Sequence, residues 1–238
     1  KGVDVATVSR AHDEFLTREA ALSRSQAAAD AARAEQLSRL EAVFPPGEQG
    51  LGYVSGQLLN AMVELASRPQ DSATREVVLQ RALELAQRYA HAGEQIDTLQ
   101  AGVAQDLAIG IEQVNQIAQR IALVNDQIAS VNGSGQPPND LLDERDRLVA
   151  QLSERVNVST LAAGDGTLSV FMAGGQRLVL GTQASALALV ADEFDPSRRA
   201  VAVVDGAQTR LLPSSLVAGG TLGGLLRFQN DDLVDARS

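Results

Sequence analysis

Metal or acid–base chemistry in this chain would have to start from its two histidines, His12 and His91. Both fall in predicted helices, far apart in sequence, and neither has a Glu or a second His at the spacing that puts two ligands on one helix face. They read as surface or flanking residues. The carboxylates Asp140, Asp143, Glu144 and Asp146 suggest calcium by number, but a calcium loop alternates oxygen ligands around a turn. These four are interleaved with Arg145 and Arg147 in a predicted helix. Asp140 and Asp143 stand in its first turns, where negative charge suits the helix dipole. Asp231, Asp232 and Asp235 read the same way. The run Gly219-Gly220-Thr221-Leu222-Gly223-Gly224 lacks the Lys-Ser/Thr of a phosphate loop and the Gly-x-Gly-x-x-Gly spacing, so it is expected to be a flexible turn. Paired carboxylates for glycoside hydrolysis lack both a cause for a raised pKa and an aromatic sugar platform. No catalytic residue, metal site or cofactor is expected.

The elements that carry these residues are mostly long helices. Residues 5–43 read as one helix, with Val8, Phe15, Leu22 and Ala29 recurring every seven residues and Leu37, Leu40 and Val43 extending the stripe. Phe44-Pro45-Pro46-Gly47 stops it, because Pro removes a donor and clashes with the preceding turn. A second helix is expected over 53–67, broken at Arg68-Pro69. The third, 74–131, contains no proline, and Gly102 and Gly110 mark possible bends. Two heptad series run along it: Leu107, Val114, Ile121, Ile128, and Gly110, Ile117, Val124, Val131. That spacing keeps an aliphatic seam facing a partner helix. Asn132 to Pro138 reads as a turn, and Asn139 caps a last helix over 140–155 with Leu141, Leu142, Arg145, Leu148, Val149 and Leu152 at helical spacing.

At Val156 the period changes to two. Strands are expected over 156–161, 167–173, 176–180, 186–191 and 200–204, with Gly174-Gly175 turning a hairpin because glycine accepts positive φ. From Asp231 the pattern is helical again. The expected class is α+β, mainly α: an elongated antiparallel helical bundle formed by 1–155 and rejoined by 229–238, carrying a β-rich insertion over 156–228.

Totals narrow the function further. Apolar residues make up 45% of the 238, but aromatics only 3%, and there is no Trp. Such a core packs helix on helix better than it walls a ligand cavity. The net charge of −10 makes nucleic acid and anionic membrane poor partners, since neither attracts an acidic surface. Without cysteine there is no disulfide, thiol nucleophile or Cys metal site. No apolar run approaches the ~20 residues of a membrane span.

Four stretches together resemble the FlgK family of flagellar hook-associated proteins. They are Gly2-Val3-Asp4-Val5 with Val8-Ser9-Arg10 and Asp13-Glu14-Phe15-Leu16; Leu59-Asn60-Ala61 with Leu65 to Pro69 and Arg75; Asn139-Asp140-Leu141-Leu142-Asp143-Glu144-Arg145-Asp146-Arg147-Leu148 running into Val156-Asn157-Val158; and Gly220-Thr221-Leu222-Gly223-Gly224-Leu225-Leu226 with Asp235-Ala236-Arg237. The resemblance implies a structural part of the bacterial flagellum, outside the cell, in a ring that joins hook to filament after export through the flagellar channel. Its implied partners are neighbouring copies, the hook protein, the adjoining filament-side junction protein, and an export chaperone on a C-terminal segment missing here. A piece lacking the terminal polymerising segments is expected to be monomeric. Rival readings are another axial protein such as flagellin, a helical signalling module, and a polysaccharide-degrading enzyme.

Overall fold

A computed structural model describes residues 14–131, 138–206 and 208–238. Four helices come first: α1 (Glu14–Val43), α2 (Leu51–Ser67), α3 (Ser72–Val131) and α4 (Asn139–Arg155). Two antiparallel meanders follow. One sheet is β1 (Val158–Ala162), β2 (Leu168–Met172), β3 (Arg177–Leu180) and β4 (Gln183–Ala184); the other is β5 (Ala186–Ala191), β6 (Arg199–Asp205) and β7 (Gln208–Leu211). The chain then returns through α5 (Gly220–Arg227), a π-helical turn over Phe228–Asp232, and α6 (Leu233–Arg237). The architecture is α+β and mainly α. His12, Val8 and the first family motif up to Asp13 lie outside the described residues, as does the expected turn over 132–137.

The spine is α3, whose 60 residues span about 90 Å at 1.5 Å per residue. It runs through Gly102 and Gly110 as one helix. Gly110 serves packing: a Cβ built there would lie 2.6 Å from Leu222 Cδ2 of α5. α4 runs antiparallel to α3, since Arg120 and Asn125 meet Glu144 and Arg145 of α4, while Gly110 lies in a cleft with Arg155. α1 is antiparallel to α3 as well, with Gln36 Nε2 donating to Asp106 at 3.4 Å.

Four expectations need correction. Phe15 and Leu22 are exposed, so the first half of the α1 stripe is misplaced, while Leu37, Leu40 and Val43 pack on the core as expected; the buried row is Ser25, Ala32, Gln36 and Leu40. The cause is close approach. Gly224 of α5 sits so near α1 that a Cβ on it would be 2.2 Å from the Ala29 carbonyl oxygen, which leaves room for small side chains only. Next, the glycine run at 219–224 is not a flexible turn. Gly219 and Gly220 make the turn with φ of 73° and 61°, and the rest is helix. The helical return therefore starts at Gly220, ahead of the expected 229–231. Third, β4 and β7 were unforeseen: β4 is two residues long, and Gln208–Leu211 is exposed throughout and lacks apolar alternation. Last, the α3 seam meets sheets as well as helices, because its buried residues share one core with Val170, Val179, Leu187 and Val203.

The close α1–α5 contact carries a prediction. Gly224→Ala is expected to lower stability by about 1–3 kcal/mol, the usual cost of overpacking where backbones must move apart. Urea denaturation read by circular dichroism measures it. Gly164→Ala, with open space around its Cβ, is the comparison that should stay near zero.

Candidate functional site: the junction of helices and sheets

Three side-chain amides fasten the sheets to the helices, each by the same two-point bond. Asn125 of α3 is fully buried. Its Nδ2 donates to the Leu168 carbonyl at 2.8 Å and the Gly181 carbonyl at 2.7 Å. Its Oδ1 accepts the Leu168 N–H at 3.1 Å and Arg145 Nη1 at 3.3 Å. Ten residues earlier on α3, Asn115 donates to the Leu187 carbonyl and accepts the Leu187 N–H, both at 2.8 Å. On the π-helical turn, Gln229 donates to the Arg199 carbonyl and accepts the Arg199 N–H, both at 2.9 Å.

The reason lies in the strand ladders. β2 and β3 pair at Val170↔Val179, and continuing that antiparallel register would oppose Leu168 to Gly181. Instead the Asn125 amide is bonded to both residues and completes the ladder in place of a direct pair. β5 is the outer strand of its sheet, so the backbone of Leu187 on the side away from β6 needs partners, and Asn115 supplies them. β7 covers β6 only from Ala202 onward, and Gln229 satisfies Arg199 beyond that point. Unpaired backbone at a sheet edge otherwise stays wet or recruits another strand. A primary amide has one acceptor and two donors, the pattern of a peptide group, and so substitutes for a strand residue.

On α3 the sheet-facing row is Ile111, Asn115, Ala118, Ala122 and Asn125, spaced four, three, four and three. The alanines of this row are buried, and its two asparagines are the residues that reach strand backbone. Sequence reading missed this row because it is apolar only by virtue of small residues. The available signal was two asparagines, poor helix formers, inside an unbroken helix on one face.

Arg145 extends the junction from α4. It is buried, and its Nη1 also donates to the Gly166 carbonyl at 2.7 Å. Gly166 belongs to the β1–β2 turn, which Asp165 organises by accepting the Thr167 hydroxyl at 2.7 Å and the Thr167 N–H at 2.9 Å. The Thr167 side-chain and backbone bonds hold the Asp165 carboxyl below its ordinary pKa. A depressed carboxylate stabilises the fold above its unfolded value, ~3.9, and that contribution fades as pH falls through the depressed folded value. Asp165→Asn should therefore flatten the dependence of melting temperature on pH below ~4, while leaving it unaltered near neutrality relative to wild type apart from a constant offset. Differential scanning calorimetry across that range is the check.

The seam residues singled out from sequence divide clearly. Leu107, Val114, Ile121, Val124 and Ile128 are buried, as is Gly110; Ile117 is partly buried and packs against the core; Val131, the last residue of α3, is exposed. Of the family-motif residues, Arg145, Leu148, Gly224 and Leu225 are buried; Asn139, Leu141, Leu142, Asp146 and Gly223 are partly buried; Asp140 is exposed. Glu144 pairs with Arg147 at 2.9 Å and with Arg120 at 3.8 Å, so this carboxylate of the acidic run on α4 is held in ion pairs. His91 is exposed and meets Gln95 at 3.1 Å. Among the described residues no group of three or more His, Cys, Asp and Glu is placed to hold a metal, and no helix is long and apolar enough to cross a membrane.

Long helices with small sheets clamped to them by three side-chain amides define a mainly helical domain. Residues 37–238 match the model of the flagellar hook-associated protein FlgK helical domain, and the chain belongs to that family. It is 32% identical over 240 residues to flagellar hook-associated protein 1 of Escherichia coli strain K12, covering 100% of this chain and 44% of the relative. With the protein of that name from Bacillus subtilis strain 168 it shares 26% identity over 239 residues, covering 94% of this chain and 47% of the relative. The solved structure of the flagellar hook junction protein FlgK from Burkholderia pseudomallei superposes with a TM-score of 0.78 at 31% identity, over 90% of this chain and 38% of that one. The chain thus spans less than half the length of these relatives.

Proposed function

We propose that this chain is the stiff outer part of a junction protein that joins the flagellar hook to the filament, and that it works as a mechanical adaptor without catalysis. The observation that carries the reading is the clamped junction: α3 is a spine of about 90 Å, and the sheets are bonded to it at Asn115 and Asn125. An adaptor between two helical polymers must pass bending and torque across itself. Sheets hinged on loops would absorb that load; sheets bonded to a helix through paired backbone groups transmit it. The seam residues Leu107, Val114, Ile117, Ile121, Val124 and Ile128 hold the spine in its bundle, and Arg145 and Gly224 fix α4 and α5 beside it.

In this reading the unit has two parts, a helical bundle and a β-rich insertion that starts after α4 and ends before α5. Its partners are neighbouring copies in a ring, the hook on one side and a filament-side junction protein on the other, outside the cell. Export through the flagellar channel, and a chaperone acting on a segment outside this span, belong to the same proposal. The absence of cysteine and the aliphatic, small-residue core suit a chain that must cross a narrow channel unfolded.

Electron microscopy of a strain deleted for the gene is the test. Hooks without attached filaments are expected, with filament protein released into the medium. Normal filaments still seated on hooks would defeat the proposal.

A further inference from the structure

An antiparallel sheet with one packed face usually carries polar residues on the other. The second sheet, β5–β6–β7, departs from that rule. Its inner face includes Leu187, Leu189, Val201 and Val203, which belong to the core or pack against it. The alternate residues of β5 and β6 point outward, and they are Ala186, Ala188, Val190, Ala200, Ala202 and Val204. None of these six belongs to the shared core or packs against it. Ala202 is buried and the other five are half-buried. Leu211 of β7 stands opposite Ala202 on this face and is 46% exposed. The face is thus apolar and uncharged, in a chain whose net charge is −10.

A second uncharged strip lies on α3 at the same level. β5 runs along α3, since Asn115 holds Leu187 at its start and Gln100 holds Ser197 beyond its end. Those two levels of α3 are about 22 Å apart. Between them the solvent side of α3 presents Ala101, Gly102, Gln105, Ala108 and Ile109; Gly102 is half-buried and the rest are exposed. At 3.6 residues per turn, this strip is centred about a third of a turn from the row that faces the sheets. The face and the strip of one copy therefore look in different directions and cannot cover each other. Gly102 is informative. Glycine destabilises a helix relative to alanine, and Gly110 has an internal reason in the close approach of Leu222. A Cβ on Gly102 would meet nothing within 4 Å, so among the described residues nothing requires a glycine there.

We propose that the outer face of the second sheet packs on the α3 strip of a neighbouring copy. The inference rests on the adaptor reading, which supplies the neighbours, and it names the surfaces by which they touch. Three observations select a second copy. Face and strip lie at one level of the spine, so copies standing side by side bring them together. Both are uncharged, so two acidic chains meet there without like charges opposed. Both are built of small residues, and the missing side chain of Gly102 lets strand and helix approach. The area sets the context. With ~4.8 Å between strands and ~6.8 Å between residues on one face, the sheet offers roughly 250 Å². A stable interface takes about 800 Å² from each partner. This contact does not hold a free pair together; it sets the alignment of copies that other contacts already place side by side. Because two different surfaces meet, the contact runs head to tail and repeats from copy to copy until a ring closes.

Cross-linking in intact flagella tests it, in the full-length protein with no other cysteine present. Leu211→Cys places a thiol on the face and Ala108→Cys places one on the strip. With both in one chain, a short bis-maleimide should produce a ladder of joined copies, and each single variant should give at most a tenth as much. Adding Ala188→Glu puts a carboxylate on the face; it should leave the melting temperature of the purified protein unchanged and reduce the ladder at least tenfold. Three results would overturn the contact while leaving the adaptor reading intact: no ladder from junctions that hold the protein and keep their filaments, dimers from Leu211→Cys alone, which mark a two-fold pairing, or links to a different protein. A protein absent from the junctions would sink the adaptor reading and this contact with it.

Discussion

Asn125→Leu is expected to cost about 4 kcal/mol or more. The side chain is lost together with the partners it satisfies: the Leu168 N–H and carbonyl, the Gly181 carbonyl and one arm of Arg145. A buried polar group left without a partner costs about 1–3 kcal/mol, and leucine offers none of the bonds. Leucine does match asparagine roughly in size, so the effect is chemical rather than a cavity. For a domain of this length the loss corresponds to a fall in melting temperature of roughly 8–16 °C. Asn115→Leu makes the comparison. It removes two bonds at a partly buried position, so about 1–2 kcal/mol is expected there. Calorimetry gives both numbers. Hydrogen exchange separates the mechanism: in Asn125→Leu the Leu168 amide should lose protection while α3 keeps its own. A melting temperature within a degree of wild type would mean that the amide is not what holds the β2–β3 ladder to the helix.

Helices were legible in the sequence where their apolar residues are large. The seam of α3, the stop at Phe44-Pro45 and the break at Pro69 all follow from aliphatic spacing and from residues that cannot continue a helix; α4 starts within a residue of its expected place, but Pro138 and not Asn139 holds the cap position, and Asn139 is already the first helical residue. Contact faces made of small residues were not legible. On α1 the large residues Phe15 and Leu22 point away from the bundle, and the working face is Ser25, Ala29 and Ala32. The same failure turned Gly223 and Gly224 into an imagined loop. A glycine reads as flexibility in a single sequence. Here it is an absence of volume, and its meaning comes from a helix 29 to 32 residues into the chain that local pattern does not reveal. Strands β2, β3, β5 and β6 were legible from alternation and from the Gly174-Gly175 hairpin, while β7 carries no apolar alternation to announce it. The junction itself was invisible for another reason. Asn115, Asn125 and Gln229 act on backbone groups, and backbone needs are set by the register of strands distant in sequence.

Ile121→Asp should be as damaging as the loss of Asn125, and its pH dependence identifies the cause. Ile121 is completely buried in the core shared by α3, α4 and the sheets. A carboxylate there loses hydration and gains no designed partner, so about 4 kcal/mol or more is expected at neutral pH. Burial favours the neutral acid, which raises the folded pKa of the new side chain above its unfolded value of ~3.9. The folded state then binds a proton more tightly than the unfolded state, so the variant's stability falls as pH rises from the unfolded pKa towards the folded one, and levels off above it. The deficit relative to wild type should accordingly be smaller at pH ~4 than at pH 7. Ile121→Asn, equally polar but without charge, should show a deficit that does not vary over that range. If both variants lose the same stability at every pH, the cost is lost packing alone. If neither loses any, position 121 is not in the core and α3 is not held as a spine at its midpoint. The functional stake is mechanical: a helix of 60 residues carries bending load only while its middle is clamped, and Ile121 lies between the two asparagines that fasten the sheets to it.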